Sequence, residues 1–284
     1  MRRWWKLLAL PVLLVSATGS SCQQLPGEPG GGPTASAVPG IPRSMVALGD
    51  SITAGAATCF GTAPCERNSW ATGNGHWVTS HYERLRELNP AIDGNAHNLA
   101  SLGADSSDLP DQAEAAVRFE PEYVTILIGA NDACRDSVDE MTDPGTFRQN
   151  IDEALDILNE GAPNARILVV SIPDLYRLWE VGHTLAGAVA VWSLGVCPSL
   201  LENPESTAAA DEARRQQVAE RVDAYNAALE ASCASHANCR YDGGAVHRFQ
   251  FEIEHLSGVD YFHPSTAGQD RLSAITWEAG YTWP

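Results

Sequence analysis

The chain of 284 residues has a single lysine, Lys6, so beyond its first residues arginine alone supplies the strong positive charge. Acids outnumber bases by 36 to 18, and the formal net charge is −18. A surface of that sign repels polyanions, which argues against nucleic acid or anionic lipid as an electrostatic partner. It places no constraint on a neutral small molecule. Metal-site spacing is also missing: neither His-Glu-x-x-His nor Cys-x-x-Cys occurs, and no metal or other cofactor is expected. There is no Gly-x-Ser-x-Gly stretch, which removes the main signature of an α/β-hydrolase nucleophile turn. No internal repeat is visible.

What is present begins with a leader. Arg2, Arg3 and Lys6 precede an apolar run over 7–15 that is too short to cross a bilayer, and small residues follow over 16–21. This reads as a secretory signal over residues 1–21. Gly19-Ser20-Ser21-Cys22 resembles a bacterial lipobox, with lipid expected on Cys22, although Gly19 stands where leucine is usual. Ordinary cleavage near Val15-Ser16-Ala17, giving a freely extracellular protein, is the alternative. The seven cysteines bear on the choice, because an odd number leaves one thiol over in an oxidising compartment. Lipid on Cys22 leaves Cys59, Cys65, Cys134, Cys197, Cys233 and Cys239 to pair completely. Several pairings remain open. Short loops favour Cys59–Cys65 and Cys233–Cys239, which leaves Cys134–Cys197.

Residues 22–42, rich in Gly, Pro, Ala and Ser, read as a flexible tether. Residues 43–284 are long enough for one α/β domain with a full core, expected to act as a monomer. Apolar runs alternate there with helical patterns, as in βαβ units with a mostly parallel sheet. Strands are expected over 45–48, 96–99, 124–128 and 167–170. Helices are expected over 76–88, 111–119, 147–158 and 208–232, with a closing one from Ser265. Residues 70–75 read as a loop. Leu178, Val181, Leu185, Val189, Trp192 and Val196 recur at helical spacing, with no charged residue over 181–201. A membrane span there would separate Asn131 from His263, so the stripe reads as core or as the wall of an acyl pocket.

Four short stretches follow expected strands or close the domain, and together they carry the groups that acyl transfer needs. In Gly49-Asp50-Ser51, a glycine allows a sharp turn before a serine hydroxyl; Asp50 reads as a partner for backbone groups rather than a reacting one. In Gly129-Ala130-Asn131-Asp132, an amide follows a buried strand. Gly103 offers a backbone N–H. Of eight histidines, His263 alone has an acid three residues before it and a proline after it, near the domain's end. That spacing lets Asp260 reach Nδ1 and leaves Nε2 for Ser51. His255, close to Glu252 and Glu254, is the alternative base.

These motifs, in this order, resemble the SGNH/GDSL hydrolase family, in its secreted bacterial esterase and lipase branch, over nearly everything after Met45. The resemblance implies a flavodoxin-like three-layer α/β/α sandwich. It implies Ser51 as nucleophile, His263 and Asp260 as its base and orienting acid, and an oxyanion hole from Ser51, Gly103 and Asn131. The expected activity is hydrolysis of lipid or other small acyl esters outside the cell. A carbohydrate O-deacetylase and a non-catalytic surface-binding lipoprotein on the same scaffold are the alternatives.

Overall fold

The computed structural model describes residues 37–284; the leader, Cys22 and the tether as far as residue 36 lie outside the described residues. Five strands form one sheet: β1 (Met45–Gly49), β2 (Ala96–Asn98), β3 (Tyr123–Leu127), β4 (Arg166–Val169) and β5 (Cys239–Tyr241). Their order is β2-β1-β3-β4-β5, and every pairing is parallel, with Met45 opposite Ala96 and Gly49 opposite Leu127. Every residue of β1 and β3 is buried, which is why these strands are unbroken apolar or small runs rather than alternating ones.

Among the described residues ten helices surround the sheet. They are α1 (His81–Leu88), α2 (Leu109–Val117), α3 (Ala130–Ala133), α4 (Pro144–Gly161), α5 (Leu175–Gly182), α6 (Ala186–Trp192), α7 (Pro198–Leu201), α8 (Ala209–Ala234), α9 (Ala245–Arg248) and α10 (Thr266–Ala279). The chain steps one way from β1 to β2 and the other way from β2 through β5. Right-handed crossovers therefore put α1 on one face and α2, α4 and α8 on the other. Accordingly α2 packs on α4 and α4 on α8. On the opposite face α1 meets α10 through His81, whose Nδ1 lies 2.9 Å from the Tyr123 hydroxyl and Nε2 2.8 Å from Thr276 Oγ1. Burial, with help from Arg84, lowers the His81 pKa to about 3, so this ring is a neutral cross-layer link.

Three sequence expectations need correction. The helix expected over 76–88 starts only at His81. Ser80 Oγ caps it by accepting from Glu83 N–H, and Trp77 is 64% exposed in the loop before it. That loop folds tightly at Gly73 and Gly75, where a Cβ would sit 2.5 Å from Ser69 O and 2.7 Å from Arg67 O. Strand β5 is absent from the sequence expectations, because three part-exposed or exposed residues at a sheet edge carry no apolar periodicity. The stripe over 178–196 is not one helix. It breaks after Gly182, whose missing Cβ would lie 2.2 Å from the Trp192 ring, so α6 folds back onto the end of α5.

Disulfides join Cys59 to Cys65, Cys134 to Cys197 and Cys233 to Cys239. Among the described residues no helix is long and apolar enough to cross a membrane. Within the same residues no cluster of His, Cys, Asp or Glu could hold a metal ion.

Candidate active site

At the carboxyl end of β1 the chain turns at Gly49, with φ at 140°. A Cβ there would lie 2.1 Å from the Leu127 carbonyl of β3, so only glycine lets the two strands stay paired through the turn. Two buried glutamines clamp the segment from Gly49 to Ile52. Gln112 on α2 accepts from Gly49 N–H at 2.8 Å and donates to Gly49 O at 2.9 Å. Gln269 on α10 donates to Ile52 O at 2.7 Å and accepts from Trp70 N–H at 2.9 Å. Ser51 is thus fixed from both helical layers. Neither glutamine stands out in the sequence. The available signal is a polar residue in the apolar stripe of a helix, three positions after Leu109 or three before Leu272.

Among the described residues Asp50 makes no bond to Ser51 or His263. It is fully buried, its Oδ1 accepts from Ile52 N–H at 2.8 Å, and its Oδ2 has no partner among the described residues. Burial raises its pKa to about 7. The Ile52 N–H and the nearby His263 pull it back, while Asp132 adds to the push.

The second component is the turn before α10. Asp260 Oδ1 accepts the backbone N–H groups of Phe262 and His263, both at 3.0 Å, and its Oδ2 lies 2.6 Å from His263 Nδ1. With a carboxylate accepting there, Nδ1 carries the ring proton. His263 Nε2, 2.8 Å from Ser51 Oγ, is then free to accept from the hydroxyl. Burial works against the charge on Asp260, but the His263 ring, its charge and the two backbone N–H groups outweigh it and hold the carboxyl below its ordinary value. From behind, α6 supports the turn: Trp192 Nε1 donates to Tyr261 O at 3.2 Å, and Gly187 leaves room for the Tyr261 ring.

Asn131 sits in α3, directly after β3, where Gly129 turns the chain with φ at 120°. One N–H of its side chain donates to Ala104 O at 2.8 Å, leaving the other N–H unspent. Asp132 ties the same two segments, accepting from Ser106 N–H at 2.8 Å and Ser106 Oγ at 2.6 Å. Gly103, with φ at 74°, is exposed on the adjoining loop and borders a neighbouring cleft with Ser101, Asp108 and Gln112. It does not line the cavity that holds Ser51; its neighbour Ala104 is tied to that cavity's Asn131 by the bond above. Neither the Ser51 nor the Gly103 backbone N–H has an acceptor among the described residues.

One cavity collects Ser51, Asn131 and His263, walled by Leu175, Leu178, Val181, Phe251, Leu256 and Phe262. Only the α5 half of the apolar stripe takes part; Leu185, Val189, Trp192 and Val196 face elsewhere because α6 folds back against the histidine turn. His255 lines the same cavity, but its Nδ1 accepts from Glu252 N–H at 2.9 Å and no bond joins it to Ser51. A hydroxyl, an imidazole and a carboxylate in series beside an apolar hollow with unspent N–H donors form a set able to attack a carbonyl and steady the resulting oxyanion.

The profile described as the GDSL-like Lipase/Acylhydrolase family matches residues 47–271. The membrane-associated phospholipase B1 of Homo sapiens is 31% identical over 172 residues, which is 48% of this chain and 12% of that protein. The acyloxyacyl hydrolase of Mus musculus is 30% identical over 112 residues, 37% of this chain and 20% of that protein. The chain therefore spans at most about a fifth of the length of these relatives. A solved structure described as a GDSL-like lipase from Parabacteroides merdae superposes with a TM-score of 0.52 at 18% identity, covering 83% of this chain and 94% of the other. That similarity speaks to the fold.

Proposed function

This chain belongs to the GDSL-like Lipase/Acylhydrolase family, and from that premise we propose that it is an extracytoplasmic carboxylic ester hydrolase that acts through an acyl-enzyme on Ser51. The observation that carries the reading is the series Asp260 Oδ2, His263 Nδ1 at 2.6 Å, His263 Nε2 and Ser51 Oγ at 2.8 Å, opening onto one apolar cavity.

In this reading Ser51 Oγ attacks the ester carbonyl as His263 Nε2 takes its proton. Asp260 keeps the ring in the required tautomer and steadies the imidazolium. The oxyanion is received by the unspent N–H of Ser51 and the free N–H of Asn131, the two donors on residues that line the cavity. His263 then protonates the departing alcohol, and a water molecule, activated by the same ring, releases the acyl group from Ser51.

Leucine, valine and phenylalanine around the cavity favour an acyl chain longer than acetyl, which supports a lipid or other acyl ester over a carbohydrate acetate. Three disulfides fit an oxidising compartment. We place the protein outside the cytoplasm on that ground together with the leader over 1–21, with Cys22 as lipid anchor, residues 22–42 as tether and residues 43–284 as the hydrolase domain.

A fluorophosphonate should add its mass to the wild-type chain on Ser51, and the labelled protein should lose ester turnover. Ser51→Ala should take no label and turn over no ester. Labelling of Ser51→Ala to the wild-type extent would assign the reactivity elsewhere and sink the reading.

A further inference from the structure

We propose that Asp174 and His255 form a subsite for a free hydroxyl on the alcohol half of the ester, so that the preferred substrates are partial esters of diols or polyols. This inference rests on the ester-hydrolase reading.

Both residues line the cavity that contains Ser51 and His263, and both break its otherwise apolar wall. The backbone N–H of Glu252 donates to His255 Nδ1 at 2.9 Å, so that nitrogen is an acceptor and the neutral ring carries its proton on Nε2. His255 Nε2 has no partner among the described residues, yet it is not sealed off, so it reaches open space. Asp174 is arranged in the complementary way. Its Oδ1 caps α5 by accepting from Arg177 N–H at 3.1 Å, and among the described residues its Oδ2 is unpartnered and open. One fixed donor and one fixed acceptor suit a hydroxyl group, which accepts and donates at once. A bare ether or carbonyl would leave Asp174 unanswered, and an ammonium would leave His255 unanswered.

The backbone sets which half of the ester meets this pair. Leu256 bridges antiparallel to Pro264. Ser265 N–H donates to His255 O, and Ser257 N–H to His263 O, each at 2.8 Å. In such a pairing His255 and His263 share one face as diagonal neighbours. His263 delivers the proton to the leaving alcohol, so His255 stands on the alcohol's side. Arg177 joins the two carriers of the subsite: its Nε donates to Phe251 O at 2.9 Å and its Nη2 pairs with Glu252 at 2.7 Å. The edges of Phe249 and Phe251 hold the His255 ring, each with centroids 5.7 Å away. The donor and acceptor are therefore in place before substrate arrives, so little ordering cost offsets their contribution.

The test compares kcat/KM for 2-hydroxyethyl butyrate and propyl butyrate, which differ by hydroxyl for methyl, using the full chain. Wild type should favour the hydroxy ester about tenfold, the effect expected of two hydrogen bonds, one of them to a charged group. His255→Phe and Asp174→Ser, the latter keeping a capping oxygen for Arg177 N–H, should each bring the ratio close to one. His255→Gln, which restores an N–H donor, should recover most of the preference. A wild type active on both esters without preference, or a preference that survives either His255→Phe or Asp174→Ser, overturns the subsite and leaves the hydrolase reading standing. A wild type inert toward both esters and unlabelled by fluorophosphonate removes the hydrolase reading itself, and the subsite with it.

Discussion

Asp260 holds His263 through both of its oxygens: Oδ2 meets the ring Nδ1 at 2.6 Å, while Oδ1 accepts the same residue's backbone N–H at 3.0 Å. Ring and backbone are thereby fixed by one carboxylate, and the tautomer is set with them. Asp260→Asn would keep the size of the group but present an amide donor toward Nδ1. The proton would move to Nε2, where it blocks acceptance from Ser51, and kcat should fall by about 10⁴. A kcat within a factor of a few of wild type would show that another acid, such as Glu254 or Asp174, orients the ring.

The same carboxylate gives a stability signature. Its folded-state pKa lies below the ordinary carboxylate value, so the unfolded chain binds the proton more readily. The stabilisation is therefore present above about pH 4 and lost as pH falls through the lowered folded value. Urea unfolding across the acid range should show a shallower loss for Asp260→Asn than for wild type. Parallel curves would dissociate Asp260 from the acid limb.

Asp50 should behave in the opposite sense. Burial raises its pKa to about 7, so the folded state binds the proton more readily than the unfolded chain does. Its contribution is fully present below about pH 4 and declines up to pH 7, with a slope of up to about 1.4 kcal/mol per pH unit. Asp50→Asn retains an oxygen for Ile52 N–H and cannot ionise. Its stability profile should lack that decline between about pH 4 and 7, as followed by urea midpoint at each pH. A wild-type profile flat over that interval would show that Asp50 is ionised in the folded state without penalty.

Asn131→Ala should lower kcat/KM by roughly 3 kcal/mol of transition-state stabilisation, the usual loss for one side-chain donor to an oxyanion. The thermal midpoint separates that effect from the lost bond to Ala104 O. An unchanged kcat/KM with a lowered midpoint would leave Asn131 as a tie between α3 and the Ala104 loop alone.

Gln112→Met removes the amide that satisfies both the N–H and the carbonyl of Gly49. Leaving a buried donor unpaired should destabilise the fold by about 1–3 kcal/mol, and kcat should fall because Ser51 stands two residues on. Equilibrium unfolding and turnover measured on one preparation check both halves; a variant of wild-type stability would mean that water replaces the amide.

The bridge between Cys134 and Cys197 closes a loop of 63 residues that includes β4, α5 and α6. Its removal as the double serine variant should cost about 4 kcal/mol in the chain-entropy account. Because Cys134 comes directly after α3, the loss should also loosen Asn131 and lower kcat. Differential scanning calorimetry with ester assays would detect both, and a midpoint within a degree of wild type would contradict a loop-closure effect of that size.

The residues themselves determined the candidate catalytic set and the central strands. A hydroxyl after a Gly-Asp turn and an imidazole three residues after an acid are local patterns. Short-range geometry fixes what each can do, and β1 and β3 lie in apolar runs that can be satisfied only in a sheet covered on both faces. Helices α4, from its apolar face, and α8, from a long polar run, were legible within a few residues at their ends. What sequence could not decide depends on which surfaces meet. The start of α1 moved to His81 because Gly73 and Gly75 let the preceding loop pack against Arg67 and Ser69, a contact distant from the helix's own pattern. The apolar stripe became two helices because the ring of Trp192 fills the space left by Gly182, and an apolar period does not say which neighbour a face will choose. Gly103 stands outside the Ser51 cavity, and Gln112, Gln269, Asp174 and His255 gained their places only when β1, α2, α5 and the turn before α10 converged. A side chain's type states what it can bond; tertiary packing alone decides which partner is within about 3 Å of it and which atom is left free.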